Sequence, residues 1–162
     1  MRMTKLITVL AVLSLALMGW NCKDDEETSV IPEKYVGTWK ASITIEGTLI
    51  EYAPAADPES GVDLRPLGAE ITVTLNEDGT FSLIFNSPID GEDTDAGKIA
   101  LDEDLNIILL DSNDPESEDL IFSYTWIDDN TLELETLTEF DFTLSGNEPI
   151  PAIVTVILKR SS

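Results

Sequence analysis

The chain has 162 residues, 9 of them basic, 32 acidic and none histidine, with one cysteine and a formal net charge of −23. Without an imidazole there is no Ser–His or Cys–His nucleophile and no His-bearing zinc site, and one Cys makes no internal disulfide. Nucleic-acid affinity comes from cations neutralising phosphates, so this charge excludes nucleic acid as a partner class, while 43% hydrophobic content suffices for one folded core.

Residues 1–21 carry Arg2 and Lys5 ahead of an apolar run from Leu6 to Met18. The run is shorter than the roughly 20 residues a membrane-crossing helix needs, and its position behind basic residues predicts a signal peptide. The only thiol, Cys22, stands where that run gives way to Lys23-Asp24-Asp25-Glu26-Glu27. This placement resembles a bacterial lipoprotein, and the Lys-acidic stretch resembles the surface-export signal of Bacteroidota lipoproteins. The resemblance implies diacylation of Cys22, a membrane contact through that lipid, and residence at the outer membrane or cell surface. Removal of residues 1–21 leaves 7 cations against 32 acids, net −25. Residues 22–31 read as the acylated Cys and a polar tether, and residues 32–162 as one domain.

From Val36 onward apolar residues recur at every second position, the spacing of half-buried strands. Trp39, Ala41, Ile43 and Ile45 predict a first strand from about Gly37 to Glu46, with a bulge at Gly47. The stretch from about Ala53 to Gly68, rich in Pro and Gly, predicts a long loop. Ile71, Val73 and Leu75 turn through Asn76-Glu77-Asp78-Gly79 into Phe81, Leu83 and Phe85, a hairpin. Ile99 and Leu101 reverse at Asp102-Glu103-Asp104 into Ile107 and Leu109. Leu120 to Trp126 reverse at Asp128-Asp129-Asn130 into Leu132 and Leu134. Phe140 to Leu144 lead through Ser145 to Pro149 into a closing strand at Ile153 to Leu158.

Eight or nine strands, each beside its successor, would leave open edges unless the sheet closes. The expected fold is therefore all-β, an antiparallel up-and-down eight- to nine-stranded β-barrel, with a β-sandwich as the alternative. Pro32-Glu33-Lys34-Tyr35-Val36-Gly37-Thr38-Trp39 predicts a helical turn followed by Gly-x-Trp opening the first strand. This stretch is similar to the lipocalin signature, and Leu75-Asn76-Glu77-Asp78-Gly79-Thr80-Phe81 resembles a hairpin of lipocalin-like lipoproteins. The resemblance implies that Gly37 permits a close turn and that Trp39 plugs one barrel end under a cation from the last strand, Arg160 or Lys159.

The long loop would then lie at the open mouth, and Tyr52, Leu64, Arg65 and Leu67 are expected to face a small hydrophobic or amphipathic ligand, above Phe81, Phe85, Tyr124 and Trp126. Arg65 has two readings, a contact for an anionic head group or a surface partner of Asp63. The acids concentrate in turns, among them Asp90, Glu92, Asp93 and Asp95, and read as solvated. An EF-hand started at Asp93 fails, with Lys98 at position six and Asp104 at twelve. No carboxylate pair is singled out for glycoside hydrolysis. A binding protein without catalysis, metal or cofactor is the expectation, with a packed surface-interaction module as the alternative.

Overall fold

The computed structural model describes residues 31–88, 91–140, 142 and 149–161; the signal-peptide, Cys22 and tether expectations, and the turn at 145–148, lie outside these residues. Ten strands form one sheet: β1 Gly37–Ala41, β2 Leu49–Pro54, β3 Val62–Asp63, β4 Glu70–Leu75, β5 Thr80–Ser87, β6 Gly91–Asp102, β7 Ile107–Ser112, β8 Leu120–Asp128, β9 Thr131–Phe140 and β10 Ile150–Arg160. The order runs β1-β4-β5-β6-β7-β8-β9-β10, and β10 pairs back to β1, so eight antiparallel strands close a barrel. The two extra strands, β2 and β3, extend it. Closure removes the edges that a meander of this length would expose, and the architecture is compatible with a lipocalin-like, or calycin, fold.

The register explains the extra strands. β10 pairs with β1 at Trp39↔Arg160 and Lys40↔Lys159, then with β2 from Ile157↔Leu49 to Ala152↔Pro54. β1 and β2 therefore run along the same side of β10, as one barrel stave interrupted by residues 42–48. β4 pairs with β1 as far as Ala41↔Ile71, while β3 pairs with β2 at Glu51↔Asp63 and Tyr52↔Val62. The second stave is interrupted in the same way by residues 64–69.

The first strand thus ends at Ala41 rather than continuing to Glu46, and Ile43, expected on the inner face, is 56% exposed. The reason is local hydrogen bonding. The Thr48 hydroxyl lies 2.9 Å from the Ser42 carbonyl and 2.8 Å from that of Ile45, folding the segment on itself. Gly47, at φ +75°, completes the reversal, where a Cβ would meet Lys159 Nζ at 2.9 Å. The expected loop from Ala53 to Gly68 is also shorter than its Pro and Gly content suggests. Ala53 belongs to β2, and β3 carries the chain back down the wall before a 3-10 turn at Arg65–Leu67.

Inside, cross-strand partners share a face and alternate with outward neighbours. The buried core takes Trp39, Ile50, Val73, Phe81, Ile99, Ile108, Leu132, Val156 and Leu158. The turns at 76–79, 103–106 and 129–130 gather at one end, beside residues 31–36. The connections at 55–61 and 113–119 lie at the other.

Candidate functional site

The end beside residues 31–36 is sealed by aromatic packing. Residues 32–36 form a hydrogen-bonded turn, Tyr35 N to Pro32 O at 2.9 Å and Val36 N to Glu33 O at 3.1 Å, rather than a longer helix. The turn delivers Tyr35, fully buried, under the barrel. Its ring packs against Tyr124 and Trp126 with centroids 5.7 and 5.3 Å away, and Trp126 meets Trp39 at 5.6 Å. Trp39 donates its indole N–H to the Tyr35 carbonyl at 2.9 Å. Arg160, from the last turn of β10, lies with its guanidinium 4.5 Å from the Trp39 ring centre. Its Nη1 donates to the Val36 carbonyl at 2.7 Å and its Nη2 to the Lys34 carbonyl. Gly37 sits between them at φ +134°, where a side chain is strained.

The Tyr35 and Tyr124 hydroxyls lie 2.7 Å apart, and Glu103 Oε1 lies 3.2 Å from the former. A carboxylate only accepts, so the proton order that satisfies all three runs from Tyr124 to Tyr35 to Glu103. Burial raises the Tyr124 pKa far above the ordinary tyrosine value, and donation to Tyr35 adds to that. Burial likewise raises that of Tyr35. Lys34 Nζ sits 2.6 Å from Glu103 and holds its carboxyl below the usual range.

Above this seal a cavity of about 340 Å³ opens within the barrel. Trp39 forms part of its lining, together with Val73, Leu83, Phe85, Leu110 and Val154. The wall is apolar because β4, β5, β7, β8, β9 and β10 contribute aliphatic or aromatic side chains to it. Near the mouth the lining changes to Asp93, Glu118, Asp119, Thr136 and Thr138. Tyr52 also lines the cavity, and its ring packs on Phe140 at 4.6 Å, which in turn packs on Phe142 at 5.0 Å.

The residues expected to face a ligand divide. Tyr52 and Phe85 line the cavity. Phe81 is buried at 2% exposure in the core, and Tyr124 and Trp126 belong to the aromatic seal. Leu64 is buried beneath the second insertion and Leu67 points to solvent at 58% exposure. Arg65 forms the local ion pair rather than a ligand contact. Its Nη2 lies 2.7 Å and its Nε 3.0 Å from the two Asp63 carboxylate oxygens, and Nη1 donates to Thr48 Oγ1 at 3.2 Å. This cation depresses the Asp63 pKa. The group ties the first insertion to the second.

The sequence reading missed Asp93. It pairs with Phe85 across β5 and β6, and Asp95 pairs with Leu83, so both carboxylates share the inward face of their apolar partners. Ser112 donates to Asp95 Oδ1 at 2.6 Å. The register, read outward from Phe81↔Gly97, was the only signal that could have placed them.

No protein-family model matches this chain, and no curated protein is significantly similar to it.

Proposed function

We propose that this chain is a lipid-anchored, lipocalin-like binding protein of the bacterial envelope, held at the outer membrane or cell surface through Cys22, and that it takes up a small hydrophobic or amphipathic molecule. The role is binding, not catalysis. The observation that carries it is the apolar cavity of about 340 Å³ above the Trp39 seal, a volume within the range of small-molecule sites. The signal-like residues 1–21 and the Lys-acidic stretch after Cys22 support the anchoring half, and resemble Bacteroidota lipoproteins.

The ligand half is tested by titrating an environment-sensitive apolar dye into the purified protein and into Leu83→Trp, whose indole would occupy the cavity. Saturable binding by the parent and its loss in the variant are expected; parent and variant binding alike, or neither binding, overturns it. The anchor is tested by mass. Cys22→Ala should leave an unacylated precursor, and an unchanged mature mass refutes acylation there.

A second reading rests on a different observation. Leu109, Ile121, Leu137 and Ile153 form a row across β7 to β10 in which Leu137 is 72% and Ile121 38% exposed, both at the rim of the cavity that they also line. That row favours a protein-interaction module, which recovery of one stoichiometric partner, lost in Leu137→Glu, would support.

A further inference from the structure

We infer that the molecule taken into the cavity is cationic at its head, an amphiphile whose apolar body lies among Val73, Leu83 and Val154 and whose positive group rests among the carboxylates at the mouth. The inference rests on the binding role proposed above and names its ligand class. Its starting point is a strand that breaks its own pattern. Along this register of β6 the residues are Asp93, Asp95, Gly97, Ile99 and Leu101, with exposure falling from Asp93 to the buried Gly97 and Ile99. Asp93, exposed, and Asp95, half-buried, stand in register with Phe85 and Leu83 at the outer end of β6, beyond its pairing with β7, where continued apolar alternation would place hydrophobic side chains. Asp95 is engaged by Ser112, so its role is structural. Asp93 lines the cavity and has no hydrogen-bond or ion-pair partner among the described residues. Glu118 and Asp119, at the entry to β8, line it in the same unpartnered condition.

Nothing basic among the described residues answers them. Among the described residues lining the cavity there is no Lys or Arg. Lys34, Lys159 and Arg160 lie at the sealed end, Lys40 and Lys98 on the wall, and Arg65 is tied to Asp63. The cavity is therefore a low-dielectric shaft with negative charge gathered at its opening, which focuses the field on an entering cation. An anionic head group would meet that charge uncompensated. The Tyr52 and Phe140 rings at the same end add π faces, which attract a desolvated ammonium. A metal ion is the poorer occupant, because no three carboxylates among the described residues come close enough to share one.

The experiment titrates the purified full-length protein, by calorimetry and below micelle formation, with three amphiphiles of equal chain length: dodecyltrimethylammonium, dodecyl sulfate and dodecyl maltoside. The cation should bind about tenfold more tightly than either of the others. Asp93→Asn, Glu118→Gln and Asp119→Asn together should erase most of that preference, lowering affinity for the cation several-fold more than affinity for the maltoside. The matching triple at the sealed end, Glu77→Gln, Asp104→Asn and Asp129→Asn, removes the same charge and should leave the preference intact. Equal binding of all three amphiphiles overturns the cationic class and keeps the cavity reading. Equal loss in both triples also overturns it, since net charge then explains the preference. Binding of none of them removes the proposed function itself.

Discussion

Replacing Arg160 by Ala would remove three interactions that join the last strand to the sealed end. Two are charged hydrogen bonds to the carbonyls of Val36 and Lys34, and one is the guanidinium stacked 4.5 Å from Trp39. Each hydrogen bond from a charged donor contributes about 1 kcal/mol at a half-exposed position, and the cation–π contact about 1 kcal/mol more. The buried Nε has no hydrogen-bond partner among the described residues, which trims the gain. A loss of about 2–3 kcal/mol remains. For a domain of about 130 residues the unfolding entropy is about 0.27 kcal/mol/K, so Tm should fall by about 7–11 °C. Arg160→Lys keeps a cation near the indole but lacks the planar fork that reaches both carbonyls, and should lose about half as much. Calorimetric melting of the three proteins is the assay, with Trp emission followed in parallel. A drop below about 3 °C for Arg160→Ala, or equal drops for both variants, would refute the account of the seal.

Further outcomes follow from the same geometry. The Tyr35–Tyr124 pair has its pKa values raised by burial, so its contribution to stability is complete below about pH 10 and declines as pH rises beyond that; denaturation curves from pH 8 to 11.5 should steepen in that window, and Tyr124→Phe should flatten the dependence. Asp63 has its pKa lowered by Arg65, so its share is present above the ordinary carboxylate value near 3.8 and is lost as pH falls below it. After allowance for solvent screening, Asp63→Asn should cost about 1 kcal/mol at pH 7 and less at pH 3, as read by urea titration. A Cβ at Gly97 would lie 1.9 Å from the Asp111 carbonyl oxygen and 3.0 Å from Phe81, so Gly97→Ala should lower stability by about 2–4 kcal/mol, and a melting temperature within 3 °C of the parent would contradict that contact.

The regular hairpins were legible because apolar alternation and turn chemistry agree there. Ile71 to Phe85 reads as two strands around Asn76–Gly79, and so it folds. Three features were not legible. Ile43 and Ile45 continue the alternation of Trp39 and Ala41, yet the chain leaves the ladder at Ser42, because hydrogen bonds to Thr48 compete with strand pairing. β2 was hidden by Pro54 and by the breakers that follow it. The first half of β6, Gly91 to Lys98, has no apolar alternation, since its inward positions are Asp93, Asp95 and Gly97. Those residues depend on β5 for their placement, and partnership across strands leaves no mark within a single segment. The cavity's aliphatic wall could be read from alternation, whereas its acidic lip could not.

The two buds on neighbouring staves have an implication for how this architecture can vary. They arise at the same height of one seam, and Arg65 clasps the first from its seat on the second. Shortening the 42–48 knuckle alone would strand the guanidinium and leave the base of the 64–69 turn facing a backbone that had slipped out of phase. Length changes at this seam are therefore expected to come in pairs, so that the two segments drift through evolution as one unit while the six uninterrupted staves hold the girth constant.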